Sequence, residues 1–255
     1  MKKLFGMTIM MVVLLVVAAP APGQEAAAPQ GSLAMTYVVD LLPGHQVAFE
    51  EGFKAHLAMH AEAQDPWNLE TWVVVAGKNV GRYYVRSFGH TWASLDEETD
   101  IPNDQEQWNA AVMPHVQHLS SMVTEWMTNL SRWPEGPEPP KMADLTTFTV
   151  DYAHADDFFL VIKKMHQMIG DKNLPLQYSW GRVEVGGSGL QMTLAIPLSG
   201  WADFEPPKPG LWEVAEEVFG DTETEMLRSM FRDAILAEDN FVVAYRSDLS
   251  YMPEK

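Results

Sequence analysis

The sequence predicts an α+β fold in which one structural unit occurs twice in tandem, each copy with the element order β-α-β-β-α-β. The pentapeptide TYVVD at 36–40 returns as TFTVD at 147–151. Each pentapeptide precedes a segment with helical apolar spacing, and then two strand-like segments around a glycine-containing turn. Self-similarity in the same order and at a fixed period indicates a duplicated unit. We therefore expect a first unit at 34–140 and a second at 141–255.

The segment after each pentapeptide predicts an amphipathic helix. In the first unit Pro43 and Gly44 end the strand, and side chains facing one side then recur about every 3.6 residues at Val47, Phe49, Phe53, Leu57 and His60. In the second unit Asp156 is a candidate N-cap, and the same spacing follows at Phe159, Ile162, His166 and Ile169. With a gap of one residue, Phe49 aligns with Phe159 and His56 with His166.

The next segment of each unit predicts two strands joined by a turn. The turns AGKNVG and GGSG fall at matching places, and the segments HTWASLDE and SGWADFEP follow the second strand in each unit. A longer helical segment comes next, predicted at 104–133 with an interruption near Pro114, and at 211–238. The second unit then ends in a strand at 240–252. These elements follow the ferredoxin-like plan.

The final strand of the first unit is not identified by its sequence. The stretch PEGPEPPKMADL is rich in proline and glycine, which favours a linker, with at most a short strand near 141–145.

The first 23 residues predict a secretory signal peptide. Two lysines precede an apolar run, LFGMTIMMVVLLVVAA, and the small residues Ala21 and Gly23 suit cleavage after Gly23. An uncleaved membrane anchor is the alternative, but the apolar run is slightly short for a membrane span. We expect an exported chain, in a bacterial periplasm or outside the cell, with a flexible lead at 24–33.

Charge and cysteine content exclude several classes of partner and site. The chain has 35 acidic and 17 basic residues, a formal net charge of −18, and such a surface repels nucleic acid and anionic lipid. We expect no nucleic-acid partner and no membrane partner once the signal is cleaved. The chain has no cysteine, which excludes disulfides and a lipid-modified N-terminal cysteine.

With these elements in place, the chain resembles the dimeric α+β barrel superfamily, as a single chain in which two units replace two subunits. The resemblance rests on element order, unit length, the segments HTWASLDE and SGWADFEP, and the helix after each, and it covers 34–252. It implies two four-stranded sheets packed face to face, with helices outside and a ligand cavity between a sheet and its own helices. It also implies a monomer that acts as a pseudo-dimer.

Histidines in the first unit are the leading candidates for chemistry. His56 and His60 lie four residues apart on one helix face, a spacing at which two imidazoles can share a metal ion. No His-Glu-x-x-His motif is present and no further ligand can be located, so we predict no metal centre, with His56 and His60 as the candidate ligands if one exists. Histidines satisfied by hydrogen bonds in a core are the alternative.

A ligand pocket is predicted beside the first helix of the first unit. Its polar groups would be His56, His60 and His90, its walls Trp72 and Trp92, and its counterpart in the second unit would carry His166.

The superfamily includes cofactor-free monooxygenases of antibiotic biosynthesis, haem-degrading enzymes, chlorite-dismutase-like haem proteins and stress-induced proteins, and no motif selects one of them. We expect an exported soluble protein that binds a small molecule. The alternative is a cofactor-free monooxygenase or haem-linked enzyme. The sequence requires no cofactor, and it leaves open whether the protein is an enzyme.

Overall fold

The computed structural model describes residues 31–97, 101–134 and 139–253. The predicted signal peptide and most of the flexible lead lie outside these residues. The described residues form eight strands and five α-helices. The strands are β1 (Leu33–Leu41), β2 (Glu70–Gly77), β3 (Tyr83–His90), β4 (Val116–Trp126), β5 (Met142–Val150), β6 (Ser179–Val185), β7 (Leu190–Leu198) and β8 (Ile235–Tyr245). The helices are α1 (Gln46–Glu62), α2 (Asp104–Ala111), α3 (Ala155–Asp171), α4 (Leu211–Phe219) and α5 (Asp221–Asp233).

All eight strands belong to one closed antiparallel barrel. Their order around it is β1-β3-β2-β8-β5-β7-β6-β4. The expectation of two separate sheets packed face to face is therefore wrong. The strands at the edges of the two halves pair with each other, β2 with β8 and β4 with β6, so no sheet edge is left unpaired within the barrel.

The final strand of the first half is β4, and the sequence analysis placed it inside a helix. The predicted helix at 104–133 ends at Ala111, and β4 begins just after Pro114. The predicted helix at 211–238 likewise divides into α4 and α5, and β8 begins at Ile235. Both β4 and β8 are hydrogen-bonded to a strand on each side, and this tertiary pairing overrides the local helical pattern.

The pairing registers repeat between the two halves of the barrel. Val39 pairs with Tyr83 on one side and Leu119 on the other. Phe148 pairs in the same way with Met192 and Glu238. The register shift opposite β4 falls between Asp40 and Leu41, and the shift opposite β8 falls between Thr149 and Val150. By this landmark Val39 occupies the position of Phe148, and the two pentapeptides that suggested the repeat lie out of step by two residues.

The helices α1 and α3 correspond residue by residue, with the same offset along the chain that relates Val39 to Phe148. After α1 the amide of Asp65 donates to the carbonyl of His60, and after α3 the amide of Leu174 donates to the carbonyl of Ile169, each at 3.0 Å. His60 therefore corresponds to Ile169. One turn earlier His56 corresponds to Met165, so the alignment of His56 with His166 is wrong by one residue.

The apolar core is divided between the outside and the inside of the barrel. One cluster lies under α1, with Phe49 and Phe53 almost fully buried. A second lies under the three helices of the second half, with Phe158 at its centre. A third includes Trp72 and Val74, whose side chains point to the opposite face of β2 from Val73, which packs under α1.

The segment after β8 crosses back to the first half and packs on α1. Leu249 is fully buried in the cluster under α1, and Tyr251 pairs with Leu69 in an isolated bridge. Arg246 makes two hydrogen bonds to Glu50 of α1, of 2.7 and 2.8 Å. The position of α1 is thus fixed by the far end of the chain. No helix in the described ranges is long and apolar enough to cross a membrane.

Candidate metal centre

Two buried histidines lie one turn apart on α1. His56 and His60 are 6% and 8% exposed, and their ring centroids are 4.7 Å apart. Their Nε2 atoms face each other at 3.2 Å. The i, i+4 spacing places both rings on one helix face, and the packing of Phe49 and Phe53 turns that face inward.

Each imidazole is held through its Nδ1 atom by an oxygen of the protein. His56 Nδ1 lies 2.8 Å from Gln107 Oε1 of α2, and His60 Nδ1 lies 2.6 Å from Asp65 Oδ2. Both oxygens are acceptors, so each Nδ1 carries the proton and donates it. When the ring is neutral, its Nε2 atom is then left with a lone pair, which is the state in which an imidazole binds a metal ion.

The third member of the cluster is Asp104, the first residue of α2. Its Oδ1 atom lies 3.4 Å from the Nε2 atoms of both His56 and His60. This oxygen is buried and accepts no hydrogen bond. Together with the two histidines it forms a group whose ligand atoms all lie within 4.8 Å of one another.

The electrostatics of the cluster favour a bound cation. When both imidazoles are neutral, three lone-pair-bearing atoms converge with no proton between them, and a buried acceptor without a partner is costly. Burial and the neighbouring His60 lower the pKa of His56, while its hydrogen bond to Gln107 opposes them. The lowered pKa favours the neutral form of His56 at neutral pH, and this is the form in which an imidazole binds a metal ion.

The other predicted pocket residues do not join this cluster. His90 is buried, with its Nε2 atom 2.7 Å from Ser87 Oγ and its ring 4.3 Å from that of Trp67. His90 is linked to the histidine cluster indirectly, through Trp67. The backbone amide of Trp67 donates to Asp65 Oδ1 at 2.9 Å, and Asp65 in turn holds His60.

The two predicted tryptophan walls and the histidine of the second unit lie elsewhere. Trp72 is on the other face of the sheet from α1, Trp92 is 55% exposed after β3, and His166 lies 2.9 Å from the Tyr178 hydroxyl in the second half. The predicted grouping of His56 with His60 agrees with the geometry, and the proposed walls do not.

Sequence reasoning missed Asp65, Asp104 and Gln107. Asp65 follows His60 by five residues, just beyond the end of α1 at Glu62, so its closeness to His60 along the chain is visible in the sequence. Asp104 and Gln107 carried no comparable signal, because nothing in the sequence brings α2 against α1. The prediction of no metal centre rested on the lack of further ligands, and Asp104 is a candidate third ligand.

The corresponding positions of the second half are apolar. Met165, Ile169 and Leu174 stand where the first half has His56, His60 and Asp65, and both Met165 and Ile169 are buried in the core under α3. The same scaffold thus carries a polar cluster in one half and ordinary packing in the other.

A separate polar groove of about 610 Å³ lies near the start of α1. It is lined in part by Asp40 and Arg82, which are ion-paired at 2.7 Å, and by Gln46 and His118. Neither histidine of the metal-ligand group lines this groove.

Comparison with known proteins supports the fold. No family model and no curated protein matches the chain. A proposed monooxygenase of Lactobacillus acidophilus superposes with a TM-score of 0.51 and 9% identity, over 87% of this chain and 96% of its own. A proposed monooxygenase of Fusobacterium nucleatum gives 0.54 and 7%, over 84% and 91%. An anthrone oxidase-like protein gives 0.54 and 10%, over 88% and 94%.

These neighbours have folds of the dimeric α+β barrel type. The chain is therefore a mixed α+β protein whose closed eight-stranded antiparallel barrel is similar to theirs. At such low identity the likeness shows the fold alone.

Proposed function

We propose that this protein binds one divalent transition-metal ion through His56 Nε2, His60 Nε2 and Asp104 Oδ1. The observation that carries the proposal is the convergence of these three atoms at 3.2 to 3.4 Å, with the Asp104 oxygen buried and without a hydrogen bond. Two imidazoles and a carboxylate suit Zn²⁺ and other borderline first-row ions.

Asp65 and Gln107 would orient the two ligand imidazoles. A metal-bound histidine usually donates its second ring N–H to a carboxylate or carbonyl oxygen, which fixes the ring and raises its basicity. Both histidines make such a bond, at 2.6 and 2.8 Å. The centre is thus held ready before the ion arrives, which favours tight binding.

Calorimetric titration of the chelator-treated protein with Zn²⁺ tests the proposal. We expect one ion per chain, and at least a roughly hundredfold loss of affinity in His56→Ala and in His60→Ala, because each loses a direct ligand. His166→Ala is the matched control, since it removes an imidazole from α3, where we propose no ligand. Absence of stoichiometric binding, or equal small effects in all three variants, would overturn the proposal.

We further propose that the two halves arose by tandem duplication of a ferredoxin-like unit, divided at 140 and 141, and that one chain suffices for a complete barrel. The repeated registers support this, and so does the pairing of β2 with β8 and β4 with β6 within one chain. A monomer in which two units replace two subunits follows.

Export remains a proposal based on the N-terminal sequence. We propose cleavage after Gly23 and a location in the bacterial periplasm or outside the cell. N-terminal sequencing of the native protein should begin at or within a few residues of Gln24. Intact Met1 in a membrane fraction would contradict this.

A small-molecule ligand, a cofactor-free oxygenase activity and a haem-linked activity are alternatives at the level of the fold. Their support is the similarity in fold to monooxygenase-like barrels, and this similarity identifies no functional residue in the chain. Two measurements on protein purified from its native host separate them. A Soret band in the absorbance spectrum indicates haem. Oxygen consumption by a colourless protein with a phenolic substrate indicates the oxygenase, and a colourless protein that consumes no oxygen favours ligand binding alone.

A further inference from the structure

The spacing of the three ligand atoms distinguishes between coordination geometries. Atoms bound to Zn²⁺ at about 2.0–2.1 Å lie about 3.3–3.4 Å apart in a tetrahedral arrangement, and about 2.8–3.0 Å apart at the right angles of an octahedral one. The three distances in the cluster are 3.2, 3.4 and 3.4 Å. They therefore match one face of a tetrahedron, whose fourth vertex points away from the three protein atoms.

The two imidazoles are held in the orientation that forms this face of the tetrahedron. Each Nδ1 atom is already committed, that of His56 to Gln107 and that of His60 to Asp65, and both rings are buried against α1. Turning either ring would break a hydrogen bond in a buried site, which costs free energy. The geometry seen here is therefore the one an ion would meet.

The side of the cluster nearest to solvent is that of α2, although the Asp104 Oδ1 atom itself is buried. The side chains of His56 and His60 are 7% and 10% exposed, whereas that of Asp104 is 42% exposed. The ring of Trp108 lies 5.1 Å from that of His56 and forms an apolar wall beside the cluster. An incoming ligand would thus approach past Asp104, with an aromatic surface on one side.

Charge favours an anion at the fourth position. A divalent ion bound by two neutral imidazoles and one carboxylate keeps a net charge of +1 among its direct ligands. A monoanion neutralises it, and without one a water molecule binds there with a lowered pKa.

From these observations we infer that the bound ion keeps an exchangeable fourth ligand, water or hydroxide, which small monoanionic ligands such as azide and carboxylates displace. This rests on the proposed metal binding at the same three residues. It makes the centre one that binds and polarises a ligand, in contrast to a structural site closed by four protein groups.

Visible spectroscopy of the Co²⁺-loaded full chain tests the inference. Co²⁺ replaces Zn²⁺ in such sites, and its absorption bands respond to the identity of each direct ligand. We expect azide and acetate each to produce a saturable shift of these bands while Co²⁺ remains bound, as checked by metal analysis after gel filtration. Perchlorate at equal ionic strength is the control and should produce no shift.

The outcomes separate the two proposals. Stoichiometric Co²⁺ binding with bands that no anion shifts would overturn the exchangeable position and leave metal binding intact. Failure of Co²⁺ and Zn²⁺ to bind would overturn both. A shift in wild-type protein that persists in His166→Ala, with Co²⁺ binding lost in His60→Ala, would support both and place the exchange at this centre.

Discussion

Replacing Glu50 by glutamine should reduce stability in a manner that depends on pH. The Glu50 carboxylate accepts two hydrogen bonds from Arg246, at 2.7 and 2.8 Å, and one from the Tyr83 hydroxyl at 2.5 Å. This network joins the helix that carries His56 and His60 to the segment after β8. The hydrogen bonds from Arg246 are the main reason that the pKa of Glu50 falls from 4.5 to about 2, against the opposing effect of burial.

The pKa shift sets the size and the sign of the effect. A shift of about 2.5 units at about 1.4 kcal/mol per unit amounts to roughly 3 kcal/mol. Because the folded-state pKa is the lower one, this contribution is fully present above about pH 4.5. It is lost as the pH falls through the folded-state value near 2. Glu50→Gln should therefore lower the free energy of unfolding by about 2–3 kcal/mol at pH 7, and the difference from wild type should shrink below pH 4.5.

Urea denaturation followed by tryptophan fluorescence at pH 7, 5 and 3.5 measures this difference. Glu223→Gln is the matched control, because Glu223 pairs with Lys164 where both side chains are more than a third exposed, at 38% and 35%. Such pairs contribute about 0–1 kcal/mol. The reasoning fails if Glu50→Gln costs no more than the control at pH 7, or if its cost is the same at all three pH values.

Three further results are expected. Asp65→Asn should weaken Zn²⁺ binding by about 10–100-fold in calorimetry, because it removes the carboxylate that orients His60; unchanged affinity would contradict that role. Phe53→Ala should cost about 3–5 kcal/mol in urea denaturation, since Phe53 is 1% exposed in the cluster under α1, and a cost below about 1 kcal/mol would count against this packing. Sedimentation of the mature chain at micromolar concentration should show a folded monomer, and an obligate dimer would exclude the single-chain barrel as a sufficient unit.

Element type was predictable wherever the local pattern and the tertiary environment agree. The spacing of Phe49, Phe53 and Leu57 predicted α1, and the glycine-containing turns predicted the hairpins β2–β3 and β6–β7, as found. Both kinds of signal arise within a dozen residues, because a helix face and a tight turn are local structures.

The sequence by itself determined that His56 and His60 share one helix face, since four residues make about one turn. Only the tertiary structure decided that β4 is a strand, because its hydrogen-bonding partners in β1 and β6 are distant in the chain. It also decided that Asp104 completes the cluster. Asp104 follows His60 by more than forty residues, and its approach depends on how α2 packs against α1. Local spacing sets which face a side chain occupies, whereas a shared site requires that two such faces meet, and that contact is a property of the packed chain.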